Sequence, residues 1–422
     1  MNNEDVYCVE DYYFDESGRN LNLVLFNTSA FYREVANNVR RGNRFDDFLR
    51  QPIHHRIGGD YDEAILSVDV QNLFESVVVD ADTANKWLSS KRPVQYVTRR
   101  RVERGNLNAR NSENENQRLI INRSIEDSRF YRRFLNRPPK SETQREALSG
   151  HSLKYAAIVN VGCGNCCFIF DENNVLAIDC SNRDKAGGHF QANVGAAIRW
   201  IQTIQRGRDF HIDCFLLTHP HYDHYSAVRD FIRSRFIDGN TLCFINLRYG
   251  CSVGAYTQML AALRSAGVRC IDNPVAGKVV GPLRVLHPVD SPTRCKKLNN
   301  ASVLSAVSTK RGDFIFPGDI ENSIGDEGWN IVRSPVMDDV RHSAYYLLSH
   351  HGSHNGFGTS LRNPIYSFCS THPREYSGVP DPATLAMFQN LRRTDALNSD
   401  SKTCRFIEVD LAAGTATYKW NS

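Results

Sequence analysis

The feature that most constrains this chain is a cluster of metal-ligand residues placed just after an apolar stretch. Residues 212–217 are largely apolar, as in a buried strand, and Thr218 leads from them into His219-Pro220-His221-Tyr222-Asp223-His224. Imidazole and carboxylate groups together suit zinc, manganese or iron. Two histidines two positions apart, followed by an adjacent aspartate and histidine, can direct ligands to two ions about 3.5–4 Å apart. The alternative is a helix N-terminus that carries surface histidines.

Two further apolar stretches also end in ligand-type residues. Phe314-Ile315-Phe316 is followed by Pro317-Gly318-Asp319, where the glycine permits a tight turn and the carboxylate is presented at the strand end. Tyr345-Tyr346-Leu347-Leu348 is followed by Ser349-His350-His351-Gly352-Ser353-His354. Because the ends of several strands can meet at one edge of a sheet, the three segments together predict a single metal site.

Six short motifs within residues 153–420 resemble the metallo-β-lactamase superfamily, in the branch typified by the ComEC-type hydrolase domain. They are Asn160-Val161-Gly162-Cys163-Gly164-Asn165, Ala177-Ile178-Asp179, the 219–224 motif, Asn299-Asn300-Ala301-Ser302, Pro317-Gly318-Asp319 and Ser349-His350-His351-Gly352-Ser353. The resemblance implies an α+β fold, the metallo-β-lactamase-like αββα sandwich, with metals at one edge of the two sheets.

The resemblance also implies a role for each residue of the predicted site. His219 and His221 would bind the first metal and Asp223 and His224 the second. Asp319 would bridge the two, and either His350 or His351 would complete the ligand set of the second metal. Asp179 would lie beneath the site and orient a ligand imidazole through a hydrogen bond. Two divalent ions are therefore expected, Zn²⁺ or alternatively Mn²⁺, with Asp223 and Asp319 as catalytic residues that position the attacking water.

The sequence departs from the superfamily pattern at a ligand of the first metal. Many members carry a further histidine before the strand that leads to the Gly-Asp turn, where this chain has Asn299 and Asn300. His287 is the nearest upstream histidine. Whether His287 or Asn300 completes the first metal's ligand set is left open by the sequence.

A second departure concerns a proton donor near the C-terminus. The branch often carries a His-Pro pair there, and this chain has Val379-Pro380 instead. His354 and His372 are candidate catalytic replacements, and ordinary surface histidines are the alternative for both.

The histidines divide the chain into two predicted domains. Twelve of the fourteen lie at or beyond His151, so residues 151–422 are predicted to form the hydrolase domain. Residues 1–150 are predicted to form an additional N-terminal α/β region of unknown role, which is a candidate surface for a protein partner. Within it we predict strands at 7–14 and 21–26, a helix at 29–40, a strand-like stretch at 64–70 and a flexible loop at 98–118.

Composition and cysteine usage favour a globular protein of a reducing compartment. The net charge of +4 on 422 residues does not by itself indicate a nucleic-acid-binding protein. Several of the twelve cysteines lie inside apolar strand-like runs, which is typical of buried thiols. A separate metal or redox site is the alternative for Cys163, Cys166 and Cys167. Because no secretory signal and no apolar segment of about 18 residues is found, we expect a cytoplasmic protein without a membrane span.

The function predicted from the sequence is a dinuclear metal-dependent hydrolase that uses a metal-bound hydroxide as its nucleophile. The resemblance favours a phosphodiesterase or nuclease acting on nucleic acid or nucleotides. Residues 98–145 hold thirteen Lys/Arg against six Asp/Glu, and an arginine-rich arm at 98–137 suits phosphate groups, with a solvated loop as the alternative. Two other functions are kept: hydrolysis of a lactone, lactam or thioester, and a metal-binding scaffold for a partner protein. The sequence leaves the oligomeric state open.

Overall fold

The structure is a computed structural model of the chain. It describes residues 5–14, 19–39, 45–51, 60–80, 82–83, 86, 96–98, 102–103, 115–135, 152–162, 164–182, 189–245, 254–272, 279–287, 298–322, 328–356, 360–371 and 379–421. Among these residues no helix combines the length and the apolar character that crossing a membrane requires.

The N-terminal region is built around one antiparallel sheet. Its strands are β1 (Val6–Phe14), β2 (Asn20–Asn27), β3 (Phe74–Asp80) and β4 (Tyr96–Thr98), in the spatial order β3-β2-β1-β4. The helices are α1 (Thr28–Asn38), α2 (Phe45–Arg50), α3 (Asp60–Leu66) and α4 (Glu115–Leu135). Helix α1 begins directly after β2 because the Asn27 side chain accepts a hydrogen bond from the Ala30 amide at 2.9 Å and so caps the helix.

The described residues from 152 onward, called the C-terminal region, contain two larger mixed sheets. The first has eight strands in the order β10-β9-β8-β7-β6-β5-β18-β19. These are β5 (Tyr155–Val159), β6 (Cys166–Phe170), β7 (Val175–Cys180), β8 (Cys214–Leu216), β9 (Leu242–Ile245), β10 (Arg269–Asp272), β18 (Cys404–Asp410) and β19 (Thr415–Trp420). The second has seven strands in chain order: β11 (Val279–Val280), β12 (Leu283–His287), β13 (Leu304–Thr309), β14 (Gly312–Phe316), β15 (Tyr345–Leu347), β16 (Tyr366–Cys369) and β17 (Leu391–Arg393).

Helices cover the outer faces of the two sheets. They are α5 (His189–Ile204), α6 (Tyr222–Tyr225), α7 (Val228–Arg233), α8 (Gly254–Ser265), α9 (Ser334–Arg341) and α10 (Pro382–Ala386). Short 3-10 turns at Leu298–Ala301, Gly328–Ile331 and Ser349–Gly352 lie in the connections.

Successive side chains of strand β14 point to opposite faces of the sheet, and both faces are apolar core. Phe314 and Phe316 of β14 enter the apolar layer between the two sheets, together with Ile158 of β5. Ile315, between them, points to the opposite face and packs with Val340 of α9. This period of two is the pattern of a strand buried on both faces. The arrangement of helix, sheet, sheet and helix confirms the predicted α+β αββα sandwich.

The N-terminal region packs directly on helix α8 of the C-terminal region. The buried Gln258 side chain donates two hydrogen bonds from Nε2, to the carbonyl oxygens of Ile65 (2.7 Å) and Val68 (2.8 Å). Arg264 of the same helix pairs with Asp62. Because buried hydrogen bonds are costly to break, these contacts tie the two groups of elements together. The domain boundary at residue 150 stays a prediction.

One local prediction for the N-terminal region was wrong, and a second was wrong at its two ends. The stretch 64–70, predicted as a strand, contains the end of helix α3 and the turn that follows it. Of the predicted flexible loop at 98–118, Thr98 belongs to strand β4 and residues 115–118 begin helix α4, whereas residues 99–101 and 104–114 lie outside the described residues. In the 64–70 stretch tertiary packing overrode the local signal, because apolar residues spaced for a strand were recruited to a helix–helix contact.

Candidate metal centre

The predicted ligands come from strands that end at one edge of the sandwich. β7 and β8 are parallel neighbours in the eight-stranded sheet, and β14 and β15 are parallel neighbours in the seven-stranded sheet. The carboxyl ends of parallel strands lie at the same edge of a sheet. The metal motif follows β8, Asp319 follows β14 and the 350/351 pair follows β15, so both sheets contribute to one site.

Five of the predicted ligands form a tight, buried cluster. The Nε2 atom of His224 lies 3.3 Å from Asp319 Oδ2 and 3.8 Å from Asp223 Oδ1. The Nε2 atom of His351 lies 3.3 Å from Asp223 Oδ2 and 3.6 Å from Asp319 Oδ2. His219 Nε2 lies 3.8 Å from Asp319 Oδ2. Asp319 is thus central, and His224 belongs to both three-residue groups that could hold an ion.

His221 lies beside this cluster. Its ring centre is 4.7 Å from that of His219, and its side chain is buried. The two groups that could hold an ion are His219 with His224 and Asp319, and Asp223 with His224 and His351. The assignment of His219 and His221 to one ion stays a prediction.

Asp179 orients two of the imidazoles. Its Oδ1 accepts a hydrogen bond from the Thr218 amide at 2.8 Å, and its Oδ2 accepts from His224 Nδ1 at 2.7 Å and from Thr218 Oγ1 at 2.9 Å. Because the Thr218 hydroxyl proton is directed to Asp179, its oxygen accepts from His219 Nδ1 at 3.1 Å. Both rings therefore carry their proton on Nδ1, which leaves Nε2 able to bind a cation.

His351 is held in the same tautomer by the backbone. Its Nδ1 donates to the carbonyl oxygen of Ser370 at 3.0 Å. A carbonyl oxygen can only accept, so the proton is on Nδ1 and the Nε2 lone pair faces Asp223 and Asp319. This is the hydrogen-bond pattern that metal-binding histidines usually have.

The chemistry of the cluster fits divalent cations. Within the described residues the Nε2 atoms of His219, His221 and His224, and Oδ1 of Asp319, are buried without a hydrogen-bond partner. Buried polar atoms are rarely left this way. Two ligands held at about 2.0–2.1 Å from a tetrahedral ion lie roughly 3.3 Å from each other. The His224–Asp319 and His351–Asp223 separations, both 3.3 Å, match that spacing.

The pKa values of the cluster histidines are shifted in opposite directions. Burial lowers the pKa of His219 well below its usual range and also lowers that of His221, so both are neutral and ready to bind a metal. Burial acts in the same direction on His224, but the carboxylates of Asp319, Asp179 and Asp223 outweigh it and raise the pKa of His224 well above its usual range. These carboxylates therefore favour the protonated form of His224 before a metal binds.

This difference predicts that metal binding releases a proton from His224. A histidine binds a metal only in its neutral form, so at pH 7 about one proton should leave His224 when Zn²⁺ binds. Zn²⁺ affinity should therefore rise with pH until the pH exceeds the raised pKa of His224. Calorimetric titration in buffers of different ionisation enthalpy measures the release. Asp179→Asn removes one carboxylate that raises the pKa and should release less, and equal release from both proteins would contradict the assignment.

The backbone at the ligand turns has limited freedom. Gly318 has φ 60°, and a Cβ there would lie 2.6 Å from Ser302 Oγ and 2.9 Å from Thr218 Cβ, so only glycine fits next to Asp319. His350 and His351 have φ values of 46° and 52°, in the left-handed region. Non-glycine residues with such angles cluster at functional sites, where the surrounding structure holds them in place.

The structure does not bring His350 into the cluster. Its Nδ1 donates to Glu321 Oε2 at 2.5 Å, and its ring centre lies 6.2 Å from that of His351. Of the pair that the sequence could not separate, His351 is the one that approaches Asp223 and Asp319. His354 is exposed on the turn that follows.

Of Asn300 and His287, the two residues proposed to complete the ligand set of the first metal, the structure describes the side chain of Asn300. Asn300 is buried, and its Oδ1 accepts a hydrogen bond from the Glu321 amide at 2.9 Å. His287 closes strand β12, but its side chain lies outside the described residues, as does the whole of His372.

Sequence reasoning missed two carboxylates that contact the site residues. Glu321 follows the Gly-Asp turn by two positions, so its place beside His350 could have been inferred from the motif. Glu10 comes from strand β1, and its Oε1 accepts a hydrogen bond from the Tyr222 amide at 2.7 Å. No local signal marks Glu10, because it is separated by 212 positions from Tyr222, the residue that it contacts.

The cysteine segment belongs to the core where it is described. Cys166 and Cys167 are buried in strand β6, and burial raises the pKa of the Cys167 thiol well above its usual range. A thiol in such a place is inert and packs as a small apolar group. Cys163 lies outside the described residues.

No protein-family model matches this chain, and no curated protein matches it significantly. The chain is similar to the solved structure of the metallo-β-lactamase fold protein YhfI from Bacillus subtilis, with 9% identity and a TM-score of 0.34 over 57% of this chain and 95% of YhfI. A diphosphatase of the PhnP family has 11% identity and a TM-score of 0.35 over 57% of this chain and 94% of its own. Yeast PDE1 has 14% identity and a TM-score of 0.32 over 56% of this chain and 81% of its own. The ComEC-type branch stays a prediction.

Proposed function

We propose that the protein is a dinuclear metal-dependent hydrolase that acts on phosphodiesters, with Zn²⁺ as the first candidate metal and Mn²⁺ as the second. The observation that supports it is the set of buried imidazole Nε2 atoms without hydrogen-bond partners that surround Asp319 and Asp223. His219 and His221 are neutral there, and burying an imidazole Nε2 atom without a partner costs free energy unless a cation is bound.

Each residue of the cluster has a task in this proposal. When bound, two divalent ions supply an activated water and stabilise the charge that develops on the substrate. Asp319 lies between the imidazoles of His219, His224 and His351 and would hold both ions. Asp223 would bind the second ion and accept a hydrogen bond from the attacking water.

Outer residues keep this cluster in shape. Asp179 and the Ser370 carbonyl fix the rings of His224 and His351. The exposed His354, three positions after His351, is the candidate that donates a proton to the leaving group.

A substrate panel tests the reaction class. Metal-loaded protein is assayed with a chromogenic phosphodiester, single-stranded and duplex DNA, an acyl lactone and a thioester. We expect hydrolysis of the phosphodiesters, and loss of that activity in Asp319→Asn, which keeps the size of the side chain but removes its charge. Hydrolysis of the lactone or thioester alone would replace the proposal with its carboxyl-substrate alternative. Metal-loaded, folded protein that hydrolyses none of them would favour the binding scaffold.

A nucleic-acid substrate makes a prediction for the arginine-rich arm. Arg99, Arg100, Arg101 and Arg104 lie outside the described residues, and their proposed phosphate contacts rest on the sequence. Changing these four to Glu should weaken DNA binding and reduce the slope of log affinity against log salt by about 0.9 for each lost phosphate contact with duplex DNA. Turnover of the small chromogenic phosphodiester should stay the same. An unchanged salt slope would mean that the arm is a solvated loop.

One arginine of the same arm has a structural role and provides the control. Arg123 of helix α4 is buried, its guanidinium lies 5.2 Å from the centre of the Phe48 ring, and it donates to the Gln51 carbonyl oxygen. Arg123→Met should therefore lower stability, because burial of the stem and the ring contact are worth free energy. It should leave the salt dependence of DNA binding unchanged.

A further inference from the structure

A cavity of about 420 Å³ lies between the N-terminal region and the helix of the metal motif. One side of it is the end of helix α3 and the turn that follows, residues 66–71, and other walls come from helices α6, α7 and α8. The described residues that line it include Tyr222, Tyr225 and Ser226, but no ligand of the proposed metal centre. Pockets of roughly 300–1,000 Å³ are typical of small-molecule sites. The cavity is therefore a second candidate site, separate from the metals.

Arg229 of helix α7 places a positive charge at this cavity. Its side chain is half-buried, and its guanidinium donates to Oε1 of Gln258 and to the carbonyl oxygen of Leu66. Both acceptors are neutral, so they hold the group in place without cancelling its charge. A guanidinium has five N–H donors, and these two bonds leave donors over for a ligand.

Within the described part of the chain, Arg229 makes no ion pair with a carboxylate. Burial lowers its pKa, and the guanidinium of Arg233, one helical turn away, lowers it further by repulsion. Ionised side chains are rarely buried without a group of opposite charge. An anion bound in the cavity would supply that group.

The nearby carboxylates are engaged by other groups. Asp230 accepts a hydrogen bond from Asn182 Nδ2 at 2.9 Å through Oδ2, and its Oδ1 lies 3.3 Å from a nitrogen of Arg233. Asp69, on the exposed turn, accepts from the Gln71 amide at 3.1 Å. The half-buried guanidinium thus stays without a carboxylate partner among the described residues.

The rest of the lining suits the organic part of a ligand. Val68 and Met259 are buried and give the cavity apolar surface, whereas Ser67 and Gln71 present polar side chains on the exposed turn. A cavity of this volume has room for more than an inorganic anion. Apolar surface with a few convergent polar groups is the usual composition of a small-molecule site.

We propose that this cavity binds a small organic phosphate of mononucleotide size, with the phosphate group on Arg229 and the organic part between the 66–71 turn and Met259. Arginine suits phosphate because its planar group donates two parallel hydrogen bonds to it. The site goes beyond the proposed hydrolase function and does not depend on it. A ligand bound there would contact helix α6, which carries Asp223 and His224.

Equilibrium binding of adenosine 5′-monophosphate (AMP) to the full-length protein tests the proposal. We expect inorganic phosphate to compete with AMP, and adenosine to bind at least ~10-fold more weakly than AMP. Arg229→Met should weaken AMP binding about 10–100-fold, because hydrogen bonds from a charged group are lost. Arg264→Met is the matched control and should keep the AMP affinity, since Arg264 lies between the same two regions but pairs with its own carboxylate, Asp62.

Two variants of Gln71 test the site without touching the contacts of Arg229. Gln71 is exposed at the cavity, so Gln71→Glu should weaken AMP binding and Gln71→Lys should strengthen it, each about 2–5-fold. Asp319→Asn, which disables the proposed metal centre, should bind AMP as the wild type does.

Three results would overturn the proposal. The first is equal affinity of the wild type for AMP and adenosine, or no binding of AMP and phosphate at all. The second is unchanged AMP affinity in folded Arg229→Met, or in both Gln71 variants if Arg229→Met does not fold. The third is loss of AMP binding in Asp319→Asn, which would place the nucleotide at the metals. The first two results would leave the proposed metal centre in place.

Discussion

Asp223→Ala is expected to abolish hydrolysis while the protein stays folded. The carboxylate lies 3.3 Å from His351 Nε2 and 3.8 Å from His224 Nε2, so its loss removes a ligand of the second ion and a partner of the attacking water. Removing a main stabiliser of the transition state costs about 10²–10³-fold in kcat, and we expect at least ~10²-fold here. The alanine fills less space but introduces no buried polar atom, so the fold should tolerate it. Turnover of the chromogenic phosphodiester and the far-UV spectrum measure the two effects.

Asp230→Ala is the matched control for this variant. Asp230 lies on helix α7, close in sequence to the motif, and its carboxylate pairs with Arg233 at 3.3 Å. Loss of such a surface pair changes stability little and should leave turnover unchanged. Near-wild-type turnover in well-folded Asp223→Ala would place the chemistry elsewhere in the protein.

Asp179→Asn is expected to lower metal affinity, although Asp179 is not one of the proposed metal ligands. Asp179 is fully buried and accepts three hydrogen bonds, from the Thr218 amide, the Thr218 hydroxyl and His224 Nδ1. The amide keeps the shape and tolerates the φ of 55°, but it lacks the charge that orients His224. Loss of such an outer partner typically reduces metal affinity about 10–100-fold. Stability should fall by roughly 1–3 kcal/mol, because one buried donor is left unmatched.

Asp213→Asn is the control that separates a loss of stability from a loss of metal affinity. Asp213 precedes strand β8, and its Oδ2 accepts a hydrogen bond from the Val175 amide at 2.8 Å, at the strand ends opposite the metal site. This variant should change the urea midpoint but leave zinc affinity as in the wild type. Equal zinc affinities in Asp179→Asn and the wild type would show that Asp179 has only a structural role.

The parts of the fold that the sequence predicted well are those with short, strictly local signals. Apolar runs that end in ligand residues located strands β8, β14 and β15. The stretch 64–70 failed because its apolar residues serve contacts with helix α8, which no local pattern encodes.

In the candidate site, too, the sequence predicted what local motifs encode and missed what long-range contacts decide. The motifs named the ligand types, but they could not separate His350 from His351, because that depends on which ring meets Glu321 and which meets Asp223. Glu10 could not be found at all, since its hydrogen bond to Tyr222 joins residues far apart in the chain. Long-range contacts of this kind are decided by packing of whole elements.

The central claim is that this cluster holds two divalent ions, and elemental analysis of the purified protein tests it most directly. Protein prepared without chelators, or stripped and then reconstituted, is measured by mass spectrometry for zinc, manganese and iron. The account predicts about two ions per chain in total. It also predicts a clear loss of bound metal in Asp319→Asn, which removes the charge shared by His219, His224 and His351. Folded wild-type protein that contains none of these metals after reconstitution would contradict it.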